Sequence, residues 1–181
     1  WQTSIRANEQ IWRALSNMNQ ASMFNIILQP TVLLEDEKEL LLEIKKKVLD
    51  VEEKPAIYLP YYPWVESCIK RRLSPWKKFF LLQVHVVAEK EVDENLSRSI
   101  GSALTRDTDT SPLPGFHVTH PETENEAEEW IEDLRLLSLT PPQRRMDDLA
   151  DLDEAFSVFR LPLRPEAGLP GVNFIEPSSL K

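Results

Sequence analysis

Hydrophobic positions along the chain switch between a helical period and a period of two, and the switches mark its elements. Ile11, Trp12, Leu15 and Met18 recur at helical spacing, with Arg6, Glu9, Arg13 and Asn17 turned elsewhere, so the opening segment predicts an amphipathic helix. Met23–Leu28 reads as a half-buried strand: Phe24, Ile26 and Leu28 alternate with Asn25, Ile27 and Gln29, and Pro30 closes the run. Asp36–Val51 predicts a second helix, with Leu40, Leu41, Ile44, Val48 and Val51 on one face and Glu43 one turn ahead of Lys47.

Residues 54–64 contain three prolines and no period, the pattern of a stiff connector with aromatic anchors. A short helix is expected over Val65–Leu73, stopping before Pro75. Phe79–Ala88 is the strongest strand signal. Phe80, Leu82, Val84, Val86 and Ala88 share one face, while Gln83 and His85 interrupt the other. Asp93 is placed to cap a helix carrying Leu96, Ile100, Ala103 and Leu104.

After a loop over residues 105–115, Phe116–Thr119 predicts a short strand. His120 and Pro121 are expected to open the next helix, with Thr123 and Glu126 at capping-box spacing and a stripe of Ala127, Trp130, Ile131, Leu134 and Leu137. Beyond Pro141 and Pro142, one last helix is expected to carry Leu149, Leu152, Phe156 and Phe159, and from Pro162 onward the chain reads as extended. Strands separated by helices predict an α/β or α+β fold: a small mixed sheet covered by helices, with an extended proline-rich C-terminal strap. The expected organisation is an accessory domain over residues 1–140, then a helix and proline-rich connector over 141–181.

Composition narrows the chemistry. Fourteen prolines stand against four glycines in 181 residues, which leaves little glycine for a phosphate-cradling loop. Gly168 and Gly171 lie too close together for a P-loop and no Lys-Ser follows them; a dinucleotide fingerprint is absent too. No apolar run approaches the roughly 20 residues of a bilayer span. The first twenty residues are polar and helical in pattern, unlike a signal peptide. The single Cys68 excludes an internal disulfide and a cysteine-built zinc site, and fits a reducing cytoplasm. A start at Trp1 fits a piece of a longer protein.

The net charge of −9 is unevenly spread. Residues 1–90 carry 13 Lys/Arg against 11 Asp/Glu, whereas residues 91–181 carry 8 against 19. The basic residues gather at Lys70, Arg71, Arg72, Lys77 and Lys78, interleaved with Trp76 and preceded by Tyr61, Tyr62 and Trp64. Such a segment can bind nucleic acid through phosphate contacts and stacking, or pair with the acidic half or a neighbouring subunit. The acidic half opposes nonspecific duplex binding. Other candidates are weaker. His85, His117 and His120 lack metal-ligand spacing, because His117 and His120 would project from opposite faces of a strand. Glu124, Glu128, Glu129, Glu132 and Asp133 read as a solvated helix face rather than paired catalytic carboxylates. Cys68 has basic neighbours and no evident His partner.

The C-terminal stretch Leu152-Asp153-Glu154-Ala155, Phe159-Arg160-Leu161-Pro162 and Gly168-Leu169-Pro170-Gly171 resembles the approach to the ATPase core in HerA/FtsK-like P-loop ATPases, conjugation ATPases and DNA translocases among them. Asn25–Thr31 followed by an acidic helix, and Phe79–Val84 followed by the helix near Leu96–Leu104, resemble their N-terminal region. The likeness is one of pattern over most of residues 20–175. It implies a non-catalytic assembly or docking module of a hexameric ATPase in DNA translocation, conjugation or defence. Phe159, Arg160, Leu161, Pro162, Gly168 and Gly171 would connect to a motor domain, and ATP and Mg would belong to that domain, with no cofactor on this chain. The implied partners are further copies of the chain or an effector subunit, with nucleic acid indirect, in the cytoplasm or at the periphery of a membrane-associated complex. Lys70, Arg71, Arg72, Trp76, Lys77 and Lys78 are the residues expected to bind nucleic acid or partner. An independent enzyme using carboxylate chemistry is the remaining alternative.

Overall fold

The computed structural model describes residues 5–49, 62–105, 115–141 and 145–159. In chain order they form α1 (Ile5–Ser16), β1 (Ser22–Thr31), α2 (Glu35–Ile44) with a π-helical turn (Lys45–Leu49), α3 (Tyr62–Arg72), β2 (Phe79–Ala88), α4 (Glu94–Leu104), α5 (Glu124–Arg135), α6 (Arg145–Asp148), β3 (Leu149–Asp151) and α7 (Leu152–Val158). The fold mixes helices with a small three-stranded sheet in the order β1-β2-β3, antiparallel throughout the described residues. The expected connector at 54–61, the loop at 106–114 and the strap from Arg160 onward lie outside the described residues.

Period-two alternation gives the sheet its two faces. Phe24, Ile26 and Leu28 of β1 stand opposite Val86, Val84 and Leu82 of β2. Together with Ala150 they meet Ile11 and Leu15 from α1, Leu96, Ile100, Ala103 and Leu104 from α4, and Val158 from α7. This is the main core. The Trp12 ring meets Phe24 edge-on at 6.3 Å between centroids. Asp93 caps α4 as expected, accepting from the Asn95 N–H at 2.8 Å. The other face is also buried at its centre, through Ile27, Phe79, Gln83, Leu149 and Asp151.

Several elements depart from the expected pattern for identifiable reasons. β1 runs through Pro30 to Thr31 instead of stopping at the proline, because β1 is an edge strand and proline is tolerated there. Phe116–Thr119 is not a strand. The segment lays its Phe116 ring against Gly101 of α4, so closely that a Cβ at 101 would run into the ring. Thr123, not His120, caps α5: its Oγ1 accepts from Glu126 N–H at 3.2 Å, and the Glu126 carboxylate accepts from Glu122 N–H at 2.7 Å. The single last helix is divided into α6, β3 and α7, because Asp151 starts a new capping box and the three residues before it pair with β2. Ala155, Ser157 and Val158 are the buried residues of α7, whereas Leu152, Phe156 and the following Phe159 are exposed. On α2, Leu41 is buried while Leu40 is exposed.

The end of α5 also corrects its stripe. Leu137 adopts φ 55°, Ser138 N–H bonds Asp133 O at 2.8 Å, and Leu137 N–H bonds Leu134 O at 3.2 Å. This is a Schellman closure, which turns the chain so that residues 138–141 can reach β2. It throws the Leu137 side chain into solvent, at 74% exposure, instead of adding it to the helix face. A left-handed conformation costs a leucine roughly 1 kcal/mol that glycine does not incur. L137G is therefore expected to stabilise the protein by about 0.5–1 kcal/mol, read as a rise in the urea midpoint with an unchanged slope.

Candidate functional site

The basic segment and the start of the last helix face one another, and local sequence sets each side. Lys70, Arg71 and Arg72 occupy the last turn of α3, where cations suit the negative end of the helix dipole. Asp151, Asp153 and Glu154 occupy the start of α7, where carboxylates suit the positive end. Asp151 Oδ1 accepts from the N–H groups of Asp153 at 2.9 Å and Glu154 at 3.0 Å, and Glu154 Oε2 accepts from the Asp151 N–H at 2.8 Å.

The two sides interlock. Arg71 grips Asp151 with two parallel bonds, Nε to Oδ2 and Nη2 to Oδ1, each 2.7 Å. Arg72 donates from Nη1 to Glu154 Oε2 and from Nη2 to the Leu149 carbonyl, each at 2.6 Å. Lys77 pairs with Asp153. Asp151 is fully buried, while Arg71 keeps 37% of its side chain exposed. Burial would raise the Asp151 pKa, but the Glu154 N–H and the Arg71 guanidinium outweigh it and hold the carboxyl below its usual range. Arg71 is correspondingly held as a cation against its own burial.

Three of the basic side chains singled out by sequence, Arg71, Arg72 and Lys77, are thus brought together on carboxylates of the acidic half. Lys70 pairs with Glu66 one turn earlier on the exposed side of α3, at 2.8 Å. Lys78 and Trp76 stand on the surface, Trp76 at 90% exposure. Of the aromatic residues singled out with them, Tyr62 is buried, Trp76 is exposed and Tyr61 lies outside the described residues. Of the connector residues, Phe159 is half exposed, and Arg160, Leu161, Pro162, Gly168 and Gly171 lie outside the described residues. Asp151 and Glu154 did not stand out as partners of the arginines. The available signal was their D-x-x-E spacing, a capping box inside what the apolar period read as continuous helix.

A second polar cluster sits on the same sheet face. Gln83 and Thr140 exchange a closed pair of bonds: the Gln83 amide donates to Thr140 O, and Thr140 N–H donates to Gln83 Oε1, both at 2.9 Å. Gln83 Nε2 also donates to Asp148 Oδ2 at 2.8 Å, and the Thr140 hydroxyl donates to Gln83 Oε1 at 3.1 Å. With its proton so engaged, Thr140 Oγ1 accepts from His85 Nε2, 3.3 Å away, which sets the imidazole tautomer. His85 Nδ1 is then a buried acceptor with no partner among the described residues. Burial lowers the His85 pKa and raises that of Asp148, the Gln83 bond opposing the latter only in part.

The remaining candidates are dispersed. His117 and His120 are exposed. Glu124, Glu128, Glu129 and Glu132 line the exposed side of α5, with Asp133 half-buried. Cys68 is half-buried, and burial pushes its thiol pKa up. Among the described residues, no three His, Cys, Asp or Glu side chains are grouped to hold a metal ion. No described helix is long and apolar enough to cross a membrane.

Removing Arg71 leaves a buried carboxylate without its main partner. R71A is expected to cost about 2–3 kcal/mol in urea unfolding, the low end for a broken buried pair because Arg71 is partly exposed. K77A should cost less than R71A. The folded Asp151 pKa lies below its unfolded value, so the pair's contribution is full above about pH 4 and is lost as pH falls through the folded pKa. R71A should therefore flatten the acid limb of the stability curve. His85 likewise titrates lower folded than unfolded: its contribution is full above about pH 6.5 and declines below that. Its ring should titrate below 6.5 by NMR, and H85Q should reduce the loss of thermal stability between about pH 7 and 5.

No protein-family model matches this chain, and neither a curated protein nor a solved structure resembles it significantly.

Proposed function

We propose that the chain is a non-catalytic assembly module that associates with further copies of itself, the role implied by its resemblance to the N-terminal portions of HerA/FtsK-like hexameric ATPases in DNA translocation, conjugation or defence. The observation that carries the reading is the surface around the last helix. Leu152 at the start of α7 is 51% exposed, and Phe159, which follows its last turn, is 52% exposed. The Lys77–Asp153 pair draws the loop bearing the 90% exposed Trp76 toward the start of that helix. Large apolar side chains grouped around a helix that is itself fixed by buried charge are the makings of a docking surface. In this reading any ATP and Mg chemistry belongs to a motor domain beyond the strap.

Nucleic-acid binding through segment 61–78 has less support, because Arg71, Arg72 and Lys77 already neutralise carboxylates. Such binding would have to run through Lys70, Trp76 and Lys78.

Sedimentation velocity tests the proposal. The wild-type chain should sediment as a species larger than its 21.0 kDa monomer across the micromolar range, and L152E/F159E should shift it toward monomer with its helical circular dichroism retained. A wild-type monomer throughout that range overturns the reading.

A further inference from the structure

β1 is a ten-residue edge strand, and its hydrogen-bond phase can be derived. Ala21 O accepts from Glu89 N–H at 3.1 Å, and Ser22 stands opposite Ala88, so Ala21 and Glu89 form a hydrogen-bonded pair. Alternation then turns the backbone groups of Met23, Asn25, Ile27, Gln29 and Thr31 toward β2. Those of Ser22, Phe24, Ile26, Leu28 and Pro30 point away from the sheet, where β1 has no neighbouring strand among the described residues. Pro30 falls in the outward set, the one place where a missing N–H costs this sheet nothing.

The strand carries none of the usual defences of an edge except that proline. Ser22–Thr31 contains no charged residue, in a chain that is 28% charged with a net −9. A second copy suits this edge because the strand is self-complementary about Ile26. In an antiparallel two-fold pairing centred there, Ile26 faces Ile26, and Phe24 faces Leu28. Each of these pairs can exchange both backbone bonds. Ser22 N–H meets the Pro30 carbonyl, while the Ser22 carbonyl finds no N–H on Pro30, so the seam lacks one bond at each of its two ends. The uncharged strand also lets two chains of like net charge meet where neither carries charge.

We infer that β1 is the seam of a two-fold dimer, joining two three-stranded sheets into one continuous six-stranded antiparallel sheet. The inference rests on the reading of the chain as a self-assembling module and names one contact of that assembly, apart from the α7 surface.

Met23 and Gln29 test the register without disturbing the core. Met23 is 47% exposed and Gln29 is exposed, and in the Ile26-centred pairing each faces the other across the seam. Like charges directly opposite in a sheet repel, and opposite charges attract. M23K/Q29K should reduce the sedimenting mass at least twofold relative to wild type, whereas M23K/Q29E should keep it; circular dichroism confirms that both variants fold. If M23K/Q29K keeps the wild-type mass, the seam is overturned while the assembly reading stands. If M23K/Q29E loses mass as well, the Ile26-centred pairing is overturned. A wild-type monomer overturns both proposals together.

Discussion

The Arg71–Asp151 pair is the interaction on which the C-terminal part of the structure depends. An ionised carboxylate can be fully buried only if fixed donors replace its hydration. Here Arg71 supplies two bonds, and the amides of the next helix supply two more. One side chain therefore does three jobs: it ends β3, begins α7 and ties both to α3. β3 is three residues long and could not hold its place on sheet pairing alone. Arg72 reinforces it by bonding its Leu149 carbonyl and the Glu154 carboxylate that completes the cap.

This explains what sequence pattern could and could not reach. β2 and α4 were legible to within a residue because their apolar period, bounding polar residues and Asp93 cap all agree. The region after residue 145 was not, because the spacing of Leu149, Leu152, Phe156 and Phe159 imitates one amphipathic helix. The competing signal was a buried acidic cap whose partner lies 80 residues earlier. Periodicity sees neighbours along the chain and is blind to a charge pair of that separation. Leu137 misled for a related reason, since a left-handed backbone reverses where its side chain points. The basic segment was recognised as a cluster that could pair with the acidic half, but which carboxylates it meets was not legible.

A similar long-range device organises the middle of the sheet. Gln83 was visible as a polar interruption in an apolar strand, and its meaning emerges only with Thr140 beside it. The side-chain amide imitates a peptide group and binds a passing segment much as another strand would. On the other flank, Glu37 pairs with Arg145, which also bonds Thr31 Oγ1 at 2.5 Å and Val32 O at 2.9 Å, pinning α6 to the corner between β1 and α2. Short C-terminal elements are thus held to the sheet by polar clamps, while α1 and α4 are held by apolar packing.

The phase of β1 imposes a constraint on how this protein can vary. The residues whose backbone looks outward, Phe24, Ile26 and Leu28, are the same residues whose side chains fill the core. A charged substitution at any of them would guard the edge only by dismantling the packing beneath α1 and α4. Protection of that edge is confined to the intervening positions and to the proline at its end. Backbone exposure and core composition are therefore coupled by strand geometry, and drift in one is limited by the other.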